Sequence, residues 1–372
     1  MSAQPHSRRF AFASRPAAIP AFALAAFFAS MQTAGAQQAC WSAAALRHRP
    51  GEETIVQGAP RALVAPPAVA EARTGRSPYP RWNGVLRRVD LPGREKVVAL
   101  TFDLCEQPHE VAGYQGDLID TLRDRNIPAT FFAGGKWLLT HPERAEQLMA
   151  DPLFEVGDHT WDHANLRLVS GAALADEIDN PQAAYLKTRA NLSRKQCLDR
   201  TGAALASARA PERMTLLRFP FGACNDAALR AVEDAGLRAV QWDVATADPV
   251  KGQSADKIVE AAINGAHSGS IIIFHANGRG WHTGEALPAV IDGLQKRGFT
   301  FATVSGLLGR PGAKPVVAST CYDVKPGDSE RYDAIAKTLM ERQYAIVKKL
   351  KAKAKQSSAP AGGKEAPGEA EQ

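Results

Sequence analysis

The chain has 372 residues, of which 45% are hydrophobic and 24 are prolines, and its formal net charge is +6 at pH 7. This length is typical of one large domain with appendages, or of two domains. Removing the arginine-containing N-terminal segment would leave a net charge of about +3, which argues against a nucleic-acid partner.

The N-terminus has the pattern of a cleaved signal peptide. Three arginines precede an apolar run over residues 17–30, which is followed by Ala34-Gly35-Ala36. A basic segment, a short apolar segment and a small-residue cleavage site are the three parts of such a signal. We therefore predict that residues 1–36 are removed and that the mature protein is periplasmic or secreted. We expect no integral membrane segment after cleavage.

Five cysteines lie beyond the predicted cleavage site, namely Cys40, Cys105, Cys197, Cys224 and Cys321. Export would bring them into an oxidising compartment, where disulfides form, and an odd number leaves one thiol unpaired. Spacing alone leaves the connectivity open. A bond between Cys40 and Cys321 would clip together the two ends of the predicted domain.

Residues 37–95 are rich in Pro and Ala and show no sustained periodicity, which predicts a mostly irregular N-terminal extension. From residue 96 onward, apolar runs typical of buried strands alternate with amphipathic stretches typical of helices. The predicted strands cover residues 97–102, 129–132, 153–156, 216–219, 238–242, 269–274 and 299–304. The predicted helices cover residues 117–125, 142–149, 172–194, 225–235, 255–264 and 284–298.

About seven βα units predict an α/β domain over residues 96–310, with a parallel sheet whose strand number suits closure into a barrel. A C-terminal segment over residues 311–355 follows it. This segment contains one long predicted helix, 332–355, whose narrow apolar stripe consists of Ile335, Leu339, Ile346 and Leu350. Residues 356–372 have the composition of a disordered tail.

Polar side chains directly follow several of the predicted strands. Because the carboxyl ends of parallel strands meet at one edge of a sheet, catalytic groups gather there. His159 and His163 have a spacing at which two imidazoles can hold one metal ion. The other polar residues and the proline at strand ends are Asp103, Arg218, Pro220, Asp248 and His275.

Four segments resemble motifs of the NodB-like polysaccharide deacetylases, carbohydrate esterase family four. They are Thr101-Phe102-Asp103, His159-Thr160-Trp161-Asp162-His163, Arg218-Phe219-Pro220-Phe221-Gly222 and Ile273-Phe274-His275. The resemblance covers about residues 95–310 and implies a distorted (β/α) barrel with about seven parallel strands. It also implies a divalent metal, commonly zinc, and hydrolysis of N-acetyl groups on amino sugars with release of acetate.

The resemblance also assigns roles to individual residues. Asp103 would be the general base, Arg218 would hold it in place, and His275 would be the general acid. Asp248, the aspartate that survives in an altered fourth motif, is expected to belong to the catalytic machinery. The implied metal ligands are His159 and His163. The residues expected to contact the substrate are Pro220, Phe221 and Trp242.

One departure from the family pattern concerns the metal. Most members carry a second aspartate, the third metal ligand, at the position of Leu104, and leucine cannot coordinate an ion. Glu106 is our preferred replacement, because it offers an oxygen donor in the same loop. Asp158 and Asp103 itself are alternatives. Cys105 could bind zinc as a thiolate or form a disulfide, for example with Cys224.

The sequence therefore predicts an exported, metal-dependent deacetylase whose partner is a polysaccharide or amino-sugar substrate of the cell envelope. Two alternatives stay open. Leu104 and the altered fourth motif would also suit a noncatalytic carbohydrate-binding protein on the same fold. A hydrolase of a small amide or ester is the other alternative, because fold and mechanism do not fix the substrate. Nothing in the sequence indicates an oligomeric state.

Overall fold

Twelve strands are found in the part of the chain that the structure, a computed structural model, describes: residues 40–68, 77–195, 210–321 and 328–357. They are β1 (Val56–Gln57), β2 (Val85–Asp90), β3 (Val97–Leu104), β4 (Glu110–Val111), β5 (Ala129–Ala133), β6 (Phe154–Asp158), β7 (Leu216–Leu217), β8 (Arg238–Ala239), β9 (Val244–Ala245), β10 (Ile271–His275), β11 (Thr300–Phe301) and β12 (Lys314–Ala318). The predicted signal peptide, and the predicted tail from residue 358 onward, lie outside the described residues.

Helices follow most of these strands. They are α1 (Ala43–Leu46), α2 (Gly116–Asp124), α3 (Gly135–Thr140), α4 (Pro142–Ala150), α5 (Gly171–Ser193), α6 (Asp226–Asp234), α7 (Ala255–Gly265), α8 (Thr283–Lys296), α9 (Val304–Leu308) and α10 (Asp328–Ser357). Every predicted helix is confirmed, with ends that shift by a few residues, whereas α1, α3 and α9 were not predicted. Within the described ranges, no helix combines the length and the apolar character needed to cross a membrane.

The parallel sheet curls until its two edges are joined by one stretch of chain. Its strand order is β8-β7-β6-β5-β3-β10-β9, and β11 pairs in parallel with β3. Residues 240–243 connect β8 directly to β9, so the first half of this run pairs with β7 and the second half with β10. Counted as one strand, the run closes a ring of six parallel strands, and β11 beside β3 is the seventh strand of the distorted barrel. The predicted fold is confirmed.

Strand β2 lies in the extension that the sequence predicts to be mostly irregular. It packs where the run from β8 to β9 closes the barrel. It pairs with β12, and its Leu86 bridges Val240 in the run between β8 and β9. The N–H of Val89 also donates to the carbonyl of Gly269, just before β10 (3.0 Å). The strand was missed because Arg87 and Arg88 interrupt its apolar run.

The central strand, β3, is buried along its whole length, as expected for a parallel strand that is covered on both faces. Phe102 stacks between Phe131 and Phe274, with ring centroids 5.4 Å from each. Successive side chains of a strand point to opposite faces, so Asp103 points away from this aromatic layer and into the barrel. The register places Asp103 beside His275 of β10.

The disulfide connectivity differs from the pairings that the sequence suggested. Cys224, which precedes α6, forms a disulfide with Cys321, which follows β12. The proposed bonds Cys40–Cys321 and Cys105–Cys224 are therefore wrong, although Cys40 is itself disulfide-bonded. Cys105 is a buried free thiol. The reason is topological: Cys105 ends the central strand inside the barrel, whereas Cys224 and Cys321 meet at its rim.

Gly269 marks a place where barrel closure leaves no room for a side chain. Its φ is +83°, and a Cβ atom there would lie 1.6 Å from the carbonyl oxygen of Val89. An alanine would be strained at this positive φ, and its Cβ would displace the carbonyl of Val89. The two effects together should lower the free energy of unfolding of Gly269→Ala by about 3 kcal/mol, measured by urea denaturation. Gly252→Ala is the control, because its Cβ would meet nothing within 4 Å. Equal stability of the two variants would contradict the expected close packing.

Candidate active site

The carboxyl ends of the barrel strands gather five of the residues singled out in the sequence. Asp103 and His275 lie on the paired strands β3 and β10, and His159 directly follows β6. Arg218 follows β7, and the ring of His163 lies 5.0 Å from that of His159, measured between centroids. The expectation that these side chains share one mouth matches their positions.

Asp103 is held as an ionised carboxylate. Nη1 of Arg218 donates to its Oδ1 at 2.8 Å, and Nε2 of His159 lies 3.5 Å from its Oδ2. Burial alone would raise the pKa of Asp103, but the charge of Arg218, with smaller contributions from His159 and His275, outweighs burial. The pKa of Asp103 therefore lies below its usual value, and the group can accept a proton at neutral pH.

Arg218 is fully buried and fixed on several sides. Its guanidinium carbon lies 4.1 Å from the ring centroid of Phe132 and 5.6 Å from that of Trp242, and Nη2 donates to the carbonyl of Gln241 at 3.2 Å. Trp242 thus packs against the arginine and the barrel core. Trp242 is not among the residues that line the cavity beside His163, and its expected contact with the substrate stays a prediction.

His275 is oriented by Asp248. Nδ1 of the imidazole lies 3.0 Å from Oδ1 of Asp248, and the backbone N–H of His275 donates to Oδ2 at 2.7 Å. The hydroxyl groups of Thr283 and Thr246 also donate to this carboxylate, at 2.7 and 3.2 Å. Burial would lower the pKa of His275, but Asp248 outweighs burial and raises it. The remaining nitrogen, Nε2, is available for proton transfer.

Three side chains that could hold a metal ion lie together: Cys105, His159 and His163, with one ligand atom from each within 4.8 Å of the others. Nδ1 of His159 lies 2.9 Å from the carbonyl oxygen of Arg218, which accepts its proton and leaves Nε2 as a lone-pair donor. Nε2 of His159 and Nδ1 of His163 are buried without a hydrogen-bond partner among the described residues. Unsatisfied imidazole nitrogens beside a thiol fit a divalent ion such as zinc.

The thiol of Cys105 sits in a polar niche. Nδ2 of Asn277 lies 2.9 Å from its Sγ and 2.9 Å from its carbonyl oxygen. Burial raises the pKa of the thiol to about 12, although the nearby charge of Arg279 opposes this shift. Without a metal the group stays protonated at neutral pH, so binding an ion would release its proton.

Glu106, our preferred third ligand, belongs to a different network. Its carboxylate accepts the N–H of Ala112 at 3.0 Å and the hydroxyl of Thr140 at 2.8 Å, and it lies 3.5 Å from Nζ of Lys136. Burial raises its pKa to about 7, against the opposing charge of Lys136. The structure therefore corrects the choice of Glu106, which is not part of the group of possible ligands in the described chain.

Alternation along β3 explains this correction. Asp103 points into the barrel, and Leu104 points outward into the hydrophobic core. Continuing the alternation by two residues brings Cys105 to the inner side and turns Glu106 outward, a signal that was available in the sequence. Asp158, another candidate, accepts the N–H of Thr160 at 2.8 Å and is also absent from the group in the described residues.

A cavity of about 970 Å³ opens beside His163, between the barrel mouth and α10. Phe221 lines it with a side chain that is 60% exposed, and its ring centroid lies 4.4 Å from that of His163. Pro220 is buried and begins the tight turn Pro220–Gly222 that presents Phe221. Of these two expected substrate contacts, the geometry therefore favours Phe221, whereas Pro220 shapes the turn.

Comparison with known proteins identifies related sequences. The polysaccharide deacetylase family matches residues 90–240. The peptidoglycan-N-acetylglucosamine deacetylase PgdA of Listeria monocytogenes is 29% identical over 214 residues, which are 58% of this chain but only 39% of that protein. A peptidoglycan-N-acetylglucosamine deacetylase of Bacillus cereus is 28% identical over 222 residues, covering 59% of this chain and 91% of the relative.

Among solved structures, a mutant of a carbohydrate esterase family four pseudoenzyme from Bacillus anthracis aligns with a TM-score of 0.47 and 22% identity, over 61% of this chain and 71% of that one. The family match includes Asp103, the histidine pair and Arg218, and it ends before Asp248 and His275. The barrel brings these last two residues to the same mouth as the others. Over residues 90–240 the chain is therefore similar to the polysaccharide deacetylases, the family that its four motifs resemble.

Proposed function

We propose that this protein removes acetyl groups from N-acetylated amino sugars of an envelope carbohydrate, with a divalent metal held by Cys105, His159 and His163. The observation that carries the proposal is the convergence of an ionised carboxylate, Asp103, an acid imidazole, His275, and a possible metal site on one mouth. The relatives support an amino-sugar substrate, since their names specify N-acetylglucosamine, N-acetylmuramic acid and chitooligosaccharides.

Two side chains in opposite protonation states share the reaction: Asp103 is ionised and accepts a proton, and His275 is protonated and donates one. A divalent ion, when bound, supplies Lewis acidity for the amide carbonyl and lowers the pKa of water. Asp103 accepts a proton from the attacking water, because Arg218 keeps the carboxylate ionised and fixed. His275 donates a proton to the departing amine nitrogen. Asp248 favours this step, because it raises the pKa of His275 and so keeps the imidazole protonated. The products are acetate and a free amino sugar.

The catalytic proposal is favoured over a purely carbohydrate-binding role. Binding alone would not need Asp103 held beside a buried arginine, or His275 anchored twice on one carboxylate. Leu104 motivated the binding alternative, yet its side chain fills the core while Cys105 offers a ligand beside the histidines. The cavity of about 970 Å³ also favours a larger ligand than a small amide or ester.

We also propose that the protein acts outside the cytoplasm. The Cys224–Cys321 disulfide supports this, because structural disulfides persist in oxidising compartments. The basic and apolar pattern of residues 1–36 supports export by a cleaved signal. Export would bring the enzyme to the cell-wall material on which the named relatives act.

The metal site is tested by replacing its ligands one at a time. We expect wild-type protein to bind about one zinc ion per chain, and Cys105→Ser or His159→Ala to weaken binding at least about 100-fold, because each removes a ligand. In cobalt-loaded protein, a thiolate-to-cobalt absorption band should appear and should vanish in Cys105→Ser.

Glu106→Gln is the matched control for the metal experiment, since Glu106 adjoins Cys105 in sequence but bonds elsewhere. It should keep both the metal and the cobalt band. A Cys105→Ser protein that binds zinc as tightly as wild type, together with loss of metal in Glu106→Gln, would reverse the assignment of the third ligand.

The base is tested by Asp103→Asn, which preserves the shape of the side chain but removes its basicity. We expect this variant to keep its zinc while the rate of acetate release from chitooligosaccharides falls by about 10²–10⁴-fold. Circular dichroism would confirm that the barrel is folded. Turnover near the wild-type rate would remove Asp103 from the mechanism.

The acid is tested through its pH dependence. His275 can donate a proton only while protonated, so kcat should fall as pH rises through its pKa. Asp248→Asn removes the charge that raises this pKa, and the alkaline limb of the kcat profile should therefore move to lower pH. Thr283→Val, which removes a hydrogen bond to Asp248 but not its charge, should leave the limb near its wild-type position. An unmoved limb in Asp248→Asn would argue against His275 as the acid.

A further inference from the structure

The C-terminal helix α10 lies beside the barrel mouth, and several side-chain contacts hold it there. Asp333 accepts two hydrogen bonds from Arg167, with Nε to Oδ1 at 3.0 Å and Nη2 to Oδ2 at 2.9 Å. About three helical turns farther along, Nε2 of Gln343 donates to Oε1 of Gln107 at 2.9 Å. Gln107 lies in the loop that leaves β3, so the helix is tied to the mouth near both His163 and Cys105.

The space between α10 and the mouth is the cavity of about 970 Å³. This volume is at the upper end of the range for sites that bind small organic ligands. His163 lines the cavity, so the cavity reaches one of the three possible metal ligands. The residues that line it from α10 are Asp333, Ile335, Ala336, Leu339, Met340 and Gln343.

The cavity walls combine two kinds of surface. Apolar side chains of α10, including Leu339 and Met340, face amide and hydroxyl groups of the barrel rim, including Asn165 and Thr320. A pyranose ring has apolar C–H faces and a rim of hydroxyl groups, so its chemistry matches both surfaces. Phe221 adds an exposed aromatic face at the edge, of the kind on which a sugar ring can stack.

The charges at the cavity also favour a sugar. Arg167 and Asp333 both line it, but they neutralise one another in their ion pair. Asp226 contributes one further carboxylate, and the described lining residues include no lysine and no arginine other than the paired Arg167, so they offer no unpaired Lys or Arg to a polyanion. A neutral N-acetylated oligosaccharide therefore fits the walls better than a strongly anionic ligand does.

We propose that α10 forms one wall of a cleft that binds the sugars next to the residue being deacetylated. This inference rests on the proposed deacetylase function, and it makes an oligosaccharide rather than a single sugar the preferred substrate. Two observations carry it: His163, a possible metal ligand, lines the cavity, and Arg167 and Gln107 anchor α10. The helix lies beyond residues 90–240, the part of the chain that matches the family.

The cleft is tested by filling it from the helix side. Ala336 lines the cavity, whereas Ala334 is exposed and does not line it. We expect Ala336→Trp to raise KM for the hexamer of β-1,4-linked N-acetylglucosamine by at least about fivefold, without changing kcat/KM for the monomer. Ala334→Trp, the same change on the same helix, should match wild type with both substrates.

A binding measurement separates failure of the cleft from failure of the enzymatic proposal. Calorimetric titration of the hexamer into full-length Asp103→Asn protein, with and without Ala336→Trp, reports affinity without turnover. Leu339→Trp is a second filling variant and should weaken binding in the same direction. Weaker binding in both filling variants, with no acetate released by wild type, would support the cleft and refute the deacetylase function.

The opposite outcome is equally distinct. Acetate release by wild type, with equal KM and equal hexamer affinity in Ala336→Trp, Leu339→Trp and Ala334→Trp, would overturn the cleft and leave the deacetylase function standing. Hydrogen exchange gives a third readout, because bound hexamer should slow exchange of backbone amides in residues 336–343. Unchanged exchange there at saturating hexamer would also count against the cleft.

Discussion

The buried contact between Arg218 and Asp103 is the interaction on which the rest of the site depends. A lone buried charge costs several kcal/mol, so each of these groups requires the other. Arg218 also donates to the carbonyls of Val240 and Gln241, in the run that closes the barrel, and its own carbonyl accepts from His159. Arg218 therefore contacts the run that closes the barrel, orients the base Asp103, and orients His159, a possible metal ligand.

Sequence periodicity was sufficient for the repeating part of the fold. The seven barrel strands were predictable because each is a short apolar run, and β3 is buried on both faces. Strand β2 was not predictable, since Arg87 and Arg88 interrupt its pattern and its burial depends on partners far away in sequence. The position of α10 depends on the Arg167–Asp333 ion pair, which no local pattern encodes.

The site was predictable to the extent that strand ends determine it. Asp103, the histidine pair, Arg218 and His275 all follow apolar runs, and parallel strands bring such ends together. Donor chemistry alone does not separate Cys105 from Glu106 as the third possible ligand, whereas strand alternation does, because it turns their side chains to opposite faces. The packing of Trp242 on the guanidinium of Arg218 was not predictable, because aromatic character does not reveal which buried group a ring contacts.

The burial of Cys105 has a further consequence for an exported protein. A free thiol outside the cytoplasm is exposed to oxidants and to exchange with disulfides, and both reactions proceed through the thiolate. Cys105 is only 3% exposed, and burial raises its pKa to about 12, so almost none of it is ionised at neutral pH. The same burial that makes the ligand reluctant to lose its proton therefore protects the metal-free protein from sulfenic acid formation and from mispairing with its other cysteines.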